Sequence, residues 1–289
     1  MVEKDFIQGQ KFFKVADFIY ALNHRHPDDY YNLAKTVVWN KLKEHNVIYA
    51  HTFHVKMLFD IIQHLEQSFT IITHNCDCKV EEQGVMTPLG NSEIGKMDFC
   101  TIPDNVIKWH STNVNLVHPR IESIPIGVEN NNWQGKNPSK MEQILAKKKE
   151  PRNYKNLLYM NHNIATNVKQ RAESYELFEK KPWVTSYRGH NGINFGVYID
   201  NIYNHKFTIS PQGNGMDTHR TWECLYVKSI PIEKRNLNNR FYADLPICFV
   251  DEWEEITEDF LNAEYRRITN KKWNMNKINF EYWKNKILK

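Results

Sequence analysis

Between Phe207 and Ile232 the chain reads FTISPQGNGMDTHRTWECLYVKSIPI. An apolar run is followed by a loop with two glycines, by Trp222, Leu225 and Tyr226 at helical spacing, and by a second apolar run. Two short strands joined through a helix lie parallel in one sheet, which commits this stretch to a βαβ unit and the fold class to α/β. Pro211 ends the first strand. Gly213 and Gly215 permit positive φ and let a ligand approach the backbone closely. Asp217 or Thr218 is the expected N-cap, leaving the free amides and positive dipole end of the helix facing the loop. Such a helix start, at the carboxyl edge of a parallel sheet, is suited to phosphate. Arg220 in the first turn adds a permanently charged fork that matches phosphate oxygens. Glu223, three residues on, shares its face and could accept both hydroxyls of a ribose. A nucleoside diphosphate would satisfy all of these groups together.

Two other readings of the same residues stand beside this one. Arg220 and Glu223 could form an i, i+3 surface pair worth a few tenths of a kcal/mol, with the glycines serving only the turn. Alternatively, Gly213-x-Gly215 with Glu233 at the end of the next strand resembles part of a dinucleotide fingerprint, although Thr218 stands where the third glycine belongs.

The same alternation runs through the rest of the chain. Val47 to Ala50 and Phe69 to Ile72 read as strands around a helix-period stretch (Val55, Leu58, Ile61, Ile62, Leu65), and runs ending at Pro103 and Pro125 continue the rhythm. Asn130 to Lys155 turns polar and lysine-rich, which suggests a domain boundary. Beyond it, strands are expected at Leu157 to Met160, near Val184, at Phe207 to Ser210 and at Ser229 to Ile232, with helices around Gln170 to Phe178 and from about Thr218. The expected division is residues 1–135, a linker at 136–154, residues 155–265, and a C-terminal segment 266–289. That last segment carries Trp273, Ile278, Phe280, Tyr282, Trp283 and Ile287, too many large apolar groups for a free tail.

A length of 289 residues accommodates two domains, and 41% hydrophobic with 25% charged residues is ordinary for a folded protein. The net charge of +4 favours an anionic ligand but falls short of a dedicated nucleic-acid binder. Five cysteines, an odd number without repeated CxxC pairs, argue against a disulfide framework and for a reducing compartment. The N-terminus lacks the apolar core of a signal peptide, and no apolar run approaches the roughly 20 residues that span a bilayer. The expectation is a cytoplasmic protein.

The segment 207–232 resembles the donor-binding segment of exostosin-like glycosyltransferases: a strand, Ser-Pro-x-Gly-Asn-Gly, Asp-x-His-Arg-x-Trp-Glu, then Ser-Ile-Pro-Ile. Weaker likenesses are LLYMNHNIATNVKQR (157–171), ITHNCD (72–77) and IPIGVEN (124–130). The resemblance implies the GT-B architecture: two Rossmann-like domains with parallel sheets facing across a cleft, and a C-terminal helix crossing back to the first domain. The N-terminal domain would bind the acceptor and the C-terminal domain the nucleotide-sugar, with a UDP-sugar the favoured donor. Donor-binding residues would then be Asn163, Thr166, Arg171, Arg188, Gly213, Asn214, Gly215, Asp217, His219, Arg220 and Glu223.

No two aspartates stand two residues apart, so no obligatory metal is expected, and leaving-group charge would fall to the helix start, Arg220, and Arg171 or Arg188. An inverting transferase, the favoured outcome, needs a base for the acceptor hydroxyl. Asp77 is the first candidate, with Asp17, His51 and His74 in reserve; a retaining enzyme would need none. His74, Cys76 and Cys78 form an HxCxC cluster without a matching fourth ligand, read as a strand end with buried thiols and not as a zinc site. The acceptor could be a glycan or a modified DNA base. An NAD(P)-dependent dehydrogenase and a non-catalytic nucleic-acid-binding protein are the rival classes.

Overall fold

The computed structural model describes residues 1–21, 35–82, 84–86, 102–130, 139–188 and 193–289. The chain forms two compact units, one of Gln8–Ile126 with Glu281–Lys289, the other of Met1–Ile7 with Gly127–Phe280.

In the first unit, β1 (Phe18–Ala21), β2 (Val47–His51), β3 (Phe69–His74), β6 (Val106–Ser111) and β7 (Ile121–Ser123) form a parallel sheet in that order. Their inward residues, among them Ile48, Ala50, Ile71 and Trp109, are fully buried. A short antiparallel hairpin, β4 (Lys79–Glu81) and β5 (Gly84–Met86), follows β3. Helix α1 (Gly9–Phe12) precedes the sheet, α2 (Lys35–Lys43) precedes β2, and α3 (Val55–Ile62) crosses from β2 to β3 with Val55, Leu58, Phe59 and Ile62 inward. β6 was not expected, because Lys108 and His110 interrupt its apolar pattern. The expected run ending at Pro103 lies largely outside the described residues.

The second unit holds another five-stranded parallel sheet, built from β8 (Asn156–His162), β9 (Val184–Arg188), β10 (His205–Ile209), β11 (Ile230–Lys234) and β12 (Cys248–Val250). Its order is β12-β11-β10-β8-β9, all pairs parallel. The first strand of the unit therefore sits between its second and third. The chain leaves β8 in one direction through α5 (Val168–Phe178) and, after β9, returns past it through α6 (Phe195–Tyr203) to β10. In open α/β sheets this reversal opens a crevice at the carboxyl ends of the two strands flanking it, here β8 and β10. Helix α7 (His219–Val227) then joins β10 to β11, and α8 (Glu258–Thr269) follows β12. The core is Leu158, Met160, Phe207, Ile209, Ile232, Val250, Trp253 and Leu261.

Residues expected to form a linker belong instead to this unit. Ser139 and Glu142 make a reciprocal capping box at the start of α4 (Lys140–Lys147), and Met141 and Ile144 are buried. Two apolar positions one turn apart suffice to dock a helix whose other faces are lysine-rich. At the N-terminus, Phe6 packs on Tyr226 (centroids 4.3 Å apart), whose hydroxyl accepts from the Ile7 amide at 2.8 Å. In the first unit, α9 (Phe280–Ile287) buries Trp283 and Ile287, and Lys286 pairs with Glu122 at 2.9 Å. No helix among the described residues is long and apolar enough to cross a membrane.

Candidate functional site

The carboxyl ends of β8 and β10 carry the two loops that the sequence singles out, and Arg171 binds them together. From the first turns of α5 its guanidinium reaches across the crevice. Nε donates to Gln212 O (2.8 Å), Nη1 to Asn163 O (2.8 Å) and to Thr166 Oγ1, and Nη2 to Pro211 O (3.4 Å). Asn167 Nδ2 adds a bond to Gly213 O at 3.4 Å. Burial, with the positive charge of Arg220 second, pushes the Arg171 pKa down to about 10, leaving it a cation at neutral pH. Its donors are largely consumed by loop oxygens, so Arg171 is a clamp and not a free charge.

Gly213 owes its identity to that clamp. The positive-φ glycines among the described residues are Gly84 and Gly127, so neither Gly213 nor Gly215 uses the freedom of positive φ that glycine permits. A Cβ at Gly213 would lie 2.7 Å from Arg171 Nη2, inside contact distance. Gly127 is the residue that needs the left-handed region, at φ 68, with a Cβ position only 2.2 Å from Ile7 O. Its carbonyl accepts from His219 Nδ1 at 2.7 Å, which ties Gly127 to the first turn of α7.

Thr218 occupies the N-cap position of α7, but no side chain caps the helix. Thr218 Oγ1 is bonded to Ser210 Oγ at 2.9 Å, and Asp217 Oδ1 accepts from the Trp222 indole at 2.9 Å. The helix therefore opens without a side-chain cap at Thr218, its Thr221 amide donating to Thr218 O at 3.2 Å and its dipole directed at the crevice. Half-buried Arg220 donates from Nη2 to Asn161 O at 2.6 Å, while its buried Nε has no partner among the described residues. Burial works against its charge, but Tyr198, Glu223, Cys224 and Tyr159 outweigh it and raise the Arg220 pKa above the ordinary value.

Glu223 is 4% exposed, and its Oε2 accepts from Tyr198 Oη at 2.8 Å, with no hydrogen bond at Oε1 among the described residues. Arg220 makes no ion pair with it within 4.0 Å, so the surface-pair reading does not describe these residues. A further buried group without a partner among the described residues lies at the end of β8, His162 Nδ1. His162 Nε2 meets Ser174 Oγ at 3.0 Å and Arg171 O at 3.2 Å. Burial, then Arg220, push the His162 pKa down to about 3 and keep it neutral. Unpaired buried polar groups cost about 1–3 kcal/mol each. A ligand rich in oxygens would remove part of that cost.

Other named residues lie elsewhere. Arg188, at the end of β9, is exposed and holds Glu179 through both Nε and Nη2. Asn214 is exposed at the loop tip. Glu233, the ribose acid of the dinucleotide reading, is buried beneath α7, where Thr221 and Asn239 take its two oxygens. In the first unit, His51 and His74 are register partners at the ends of β2 and β3, with Asp77 exposed just beyond. His74 accepts the Asn75 amide at Nδ1 (2.7 Å) and meets Pro125 O at Nε2 (3.0 Å), leaving neither nitrogen for a metal. Asp17 accepts the Val47 amide (3.0 Å) at the opposite, amino edge of that sheet. Among the described residues Glu173, Glu252 and Glu254 could together hold a cation, but the Lys234 ammonium already bonds Glu173 (3.0 Å) and Glu252 (2.7 Å).

Sequence reasoning missed Tyr198, Tyr159, Asn161 and His162. Tyr198 comes from α6, whose FGVYIDNIY carries no motif, and only the strand order brings it beside Glu223.

No family model matches the chain, and no curated protein matches it. Similar solved structures include the pneumococcal O-GlcNAc transferase GtfA in complex with UDP and GlcNAc, 9% identical, covering 87% of this chain and 55% of that one with a TM-score of 0.34. A GtfA/B complex is 10% identical over 83% of this chain and 53% of that one, with a TM-score of 0.35. The catalytic domain of Starch Synthase IV from Arabidopsis thaliana bound to ADP and acarbose is 11% identical over 87% and 70%, with a TM-score of 0.33. The chain thus spans about half the length of the first two. Likenesses this remote carry no argument about its activity.

Proposed function

We propose that this chain is a glycosyltransferase of the GT-B type that moves a sugar from a nucleotide-sugar to an acceptor hydroxyl without an obligatory metal. One observation carries the reading. At the strand reversal of the second sheet, an uncapped helix start and an arginine with an unpartnered Nε stand beside a buried glutamate with one oxygen unbonded. A diphosphate would take the α7 amides and Arg220, and ribose hydroxyls would donate to Glu223 Oε1.

In the transfer, the acceptor oxygen attacks the anomeric carbon as the bond to the diphosphate breaks, and negative charge grows on the departing phosphate. Arg220 and the helix dipole stabilise that charge where it develops. Asp77 is the proposed base for the acceptor proton, because His74 has both nitrogens committed to backbone and Asp17 lies at the other sheet edge. The acceptor is proposed as a glycan or a modified DNA base.

The test is a thermal-shift titration with UDP, GDP, CDP, ADP and NAD, with and without EDTA, since a ligand of the folded state raises Tm by mass action. One nucleoside diphosphate should stabilise the protein, EDTA should leave the shift intact, and Arg220→Ala and Glu223→Ala should each weaken binding about tenfold, ~1.4 kcal/mol. A shift with NAD alone would transfer the case to a dehydrogenase.

A further inference from the structure

Beneath the loop, five side chains are linked by hydrogen bonds that the donor reading does not use. Thr218 Oγ1 lies 2.9 Å from Ser210 Oγ, which lies 2.9 Å from Thr221 Oγ1, and Thr221 bonds Glu233 Oε1. Thr218 and Thr221 are 3.4 Å apart, and Asn239 Nδ2 donates to Glu233 Oε2 at 3.0 Å. The chain runs from a buried carboxyl on β11 to the hydroxyl at the start of α7.

Its direction depends on one proton. An ionised Glu233 only accepts, so Thr221 donates to it, Ser210 donates to Thr221, and Thr218 donates to Ser210. The Thr218 hydrogen is then turned away from the crevice, and its lone pairs face any bound anion. A protonated Glu233 can donate to Thr221, which reverses each link and frees the Thr218 hydrogen to point out of the cluster beside the α7 amides.

We propose that Glu233 is a positioning residue that sets, through Thr221 and Ser210, whether Thr218 donates to an anion at the start of α7, so that anion binding is linked to uptake of a proton. The inference rests on the anion-site part of the proposed function. Burial, only partly offset by the Thr221 and Asn239 hydrogen bonds, raises the Glu233 pKa to about 7, so the reversal falls near neutral pH. Few charges could obscure it. On α7 the other titratable group interacting with Glu233 is the Cys224 thiol, which burial holds protonated, and Asn239 is neutral. The register partner on β12 is Phe249, and on the β10 side Ser210 follows Ile209. Lys234, next in sequence, is committed to Glu173 and Glu252.

The test measures affinity from pH 6 to pH 8 by calorimetry with two probes whose own charge is constant across that range, sulfate and UDP-glucose. Wild-type affinity should fall as pH rises, by up to about tenfold for one linked proton. Glu233→Gln presents an amide donor to Thr221 as the protonated acid does, and should bind at every pH as the wild type does at pH 6. Thr221→Val keeps Glu233 but removes the hydroxyl through which it reaches both Ser210 and Thr218, and should lose the pH dependence. Repeating the series in His219→Gln removes any contribution of that imidazole. A pH-independent wild type, or a dependence retained in both Glu233→Gln and Thr221→Val, would overturn the proposal. A dependence lost in Glu233→Gln but kept in Thr221→Val would also overturn it, in favour of direct electrostatics. Should sulfate bind with the expected pH profile while UDP-glucose and the nucleoside diphosphates do not bind, the relay would stand and the nucleotide-sugar reading would fail.

Discussion

Arg171 and Arg220 both lie at the crevice, yet only one of them is available to a ligand, and the difference comes from their partners. Arg171 is closed by Asn163, Thr166, Pro211 and Gln212, whereas Arg220 gives a single bond to Asn161. Neither assignment is readable from residue type, since both are arginines on helices that follow strands. The same holds for Gly213, whose need for a bare Cα comes from a guanidinium distant in sequence and not from its own dihedrals. Gly213→Ala should therefore cost about 1–3 kcal/mol by overpacking, measured by urea denaturation, and should weaken nucleotide binding with Arg220 intact. Glu233 provides a second test. Its folded pKa, about 7, lies above the ordinary 4.5, so between these values the folded state holds a proton that the unfolded chain has lost. Its contribution is most favourable below about pH 4.5 and declines as pH rises to about 7, by ~3 kcal/mol for a shift of this size. The difference in unfolding free energy between wild type and Glu233→Gln, followed across that window, should show this slope.

Among the elements, those with the strongest patterns were legible: β2, β3, β8, β10, β11, and helices α3, α5 and α7 stand where apolar runs and helical spacing put them. Elements with mixed patterns were not. β12 is only Cys248–Val250, and α4 hides two buried residues in a lysine-rich stretch. The start of α7 was read as a capped helix from Asp217 and Thr218, but tertiary partners, Trp222 and Ser210, took both side chains. That capture leaves the helix start without the expected Thr218 side-chain cap, which no local signal could announce. The other end of α7 has its own signature: Lys228 closes it at φ 61 in the left-handed region, with Arg152 donating to Lys228 O at 3.0 Å. Lys228→Gly should stabilise the protein by about 0.5–1 kcal/mol, seen as a higher Tm, because glycine adopts that conformation without a Cβ penalty.

At the scale of the whole molecule, the two parallel sheets follow from the βαβ rhythm, but their strand orders do not. The first sheet runs in sequence order among the described residues, while the second reverses between β8 and β10, and only that reversal creates the crevice. The chain ends are exchanged, with Met1–Ile7 in the second unit and Glu281–Lys289 in the first. The first unit thus depends on its last helix, where Trp283 is 1% exposed. Trp283→Ala should cost about 3–5 kcal/mol in urea denaturation. The central claim is that the reversal in the second sheet binds a nucleoside diphosphate, and a crystal structure of the protein with the diphosphate that gives the largest thermal shift, grown in EDTA, tests it most directly. The account expects phosphate oxygens within hydrogen-bond distance of Arg220 and the first amides of α7, and the ribose at Glu223. A nucleotide bound elsewhere, with Arg220 unengaged, would contradict it.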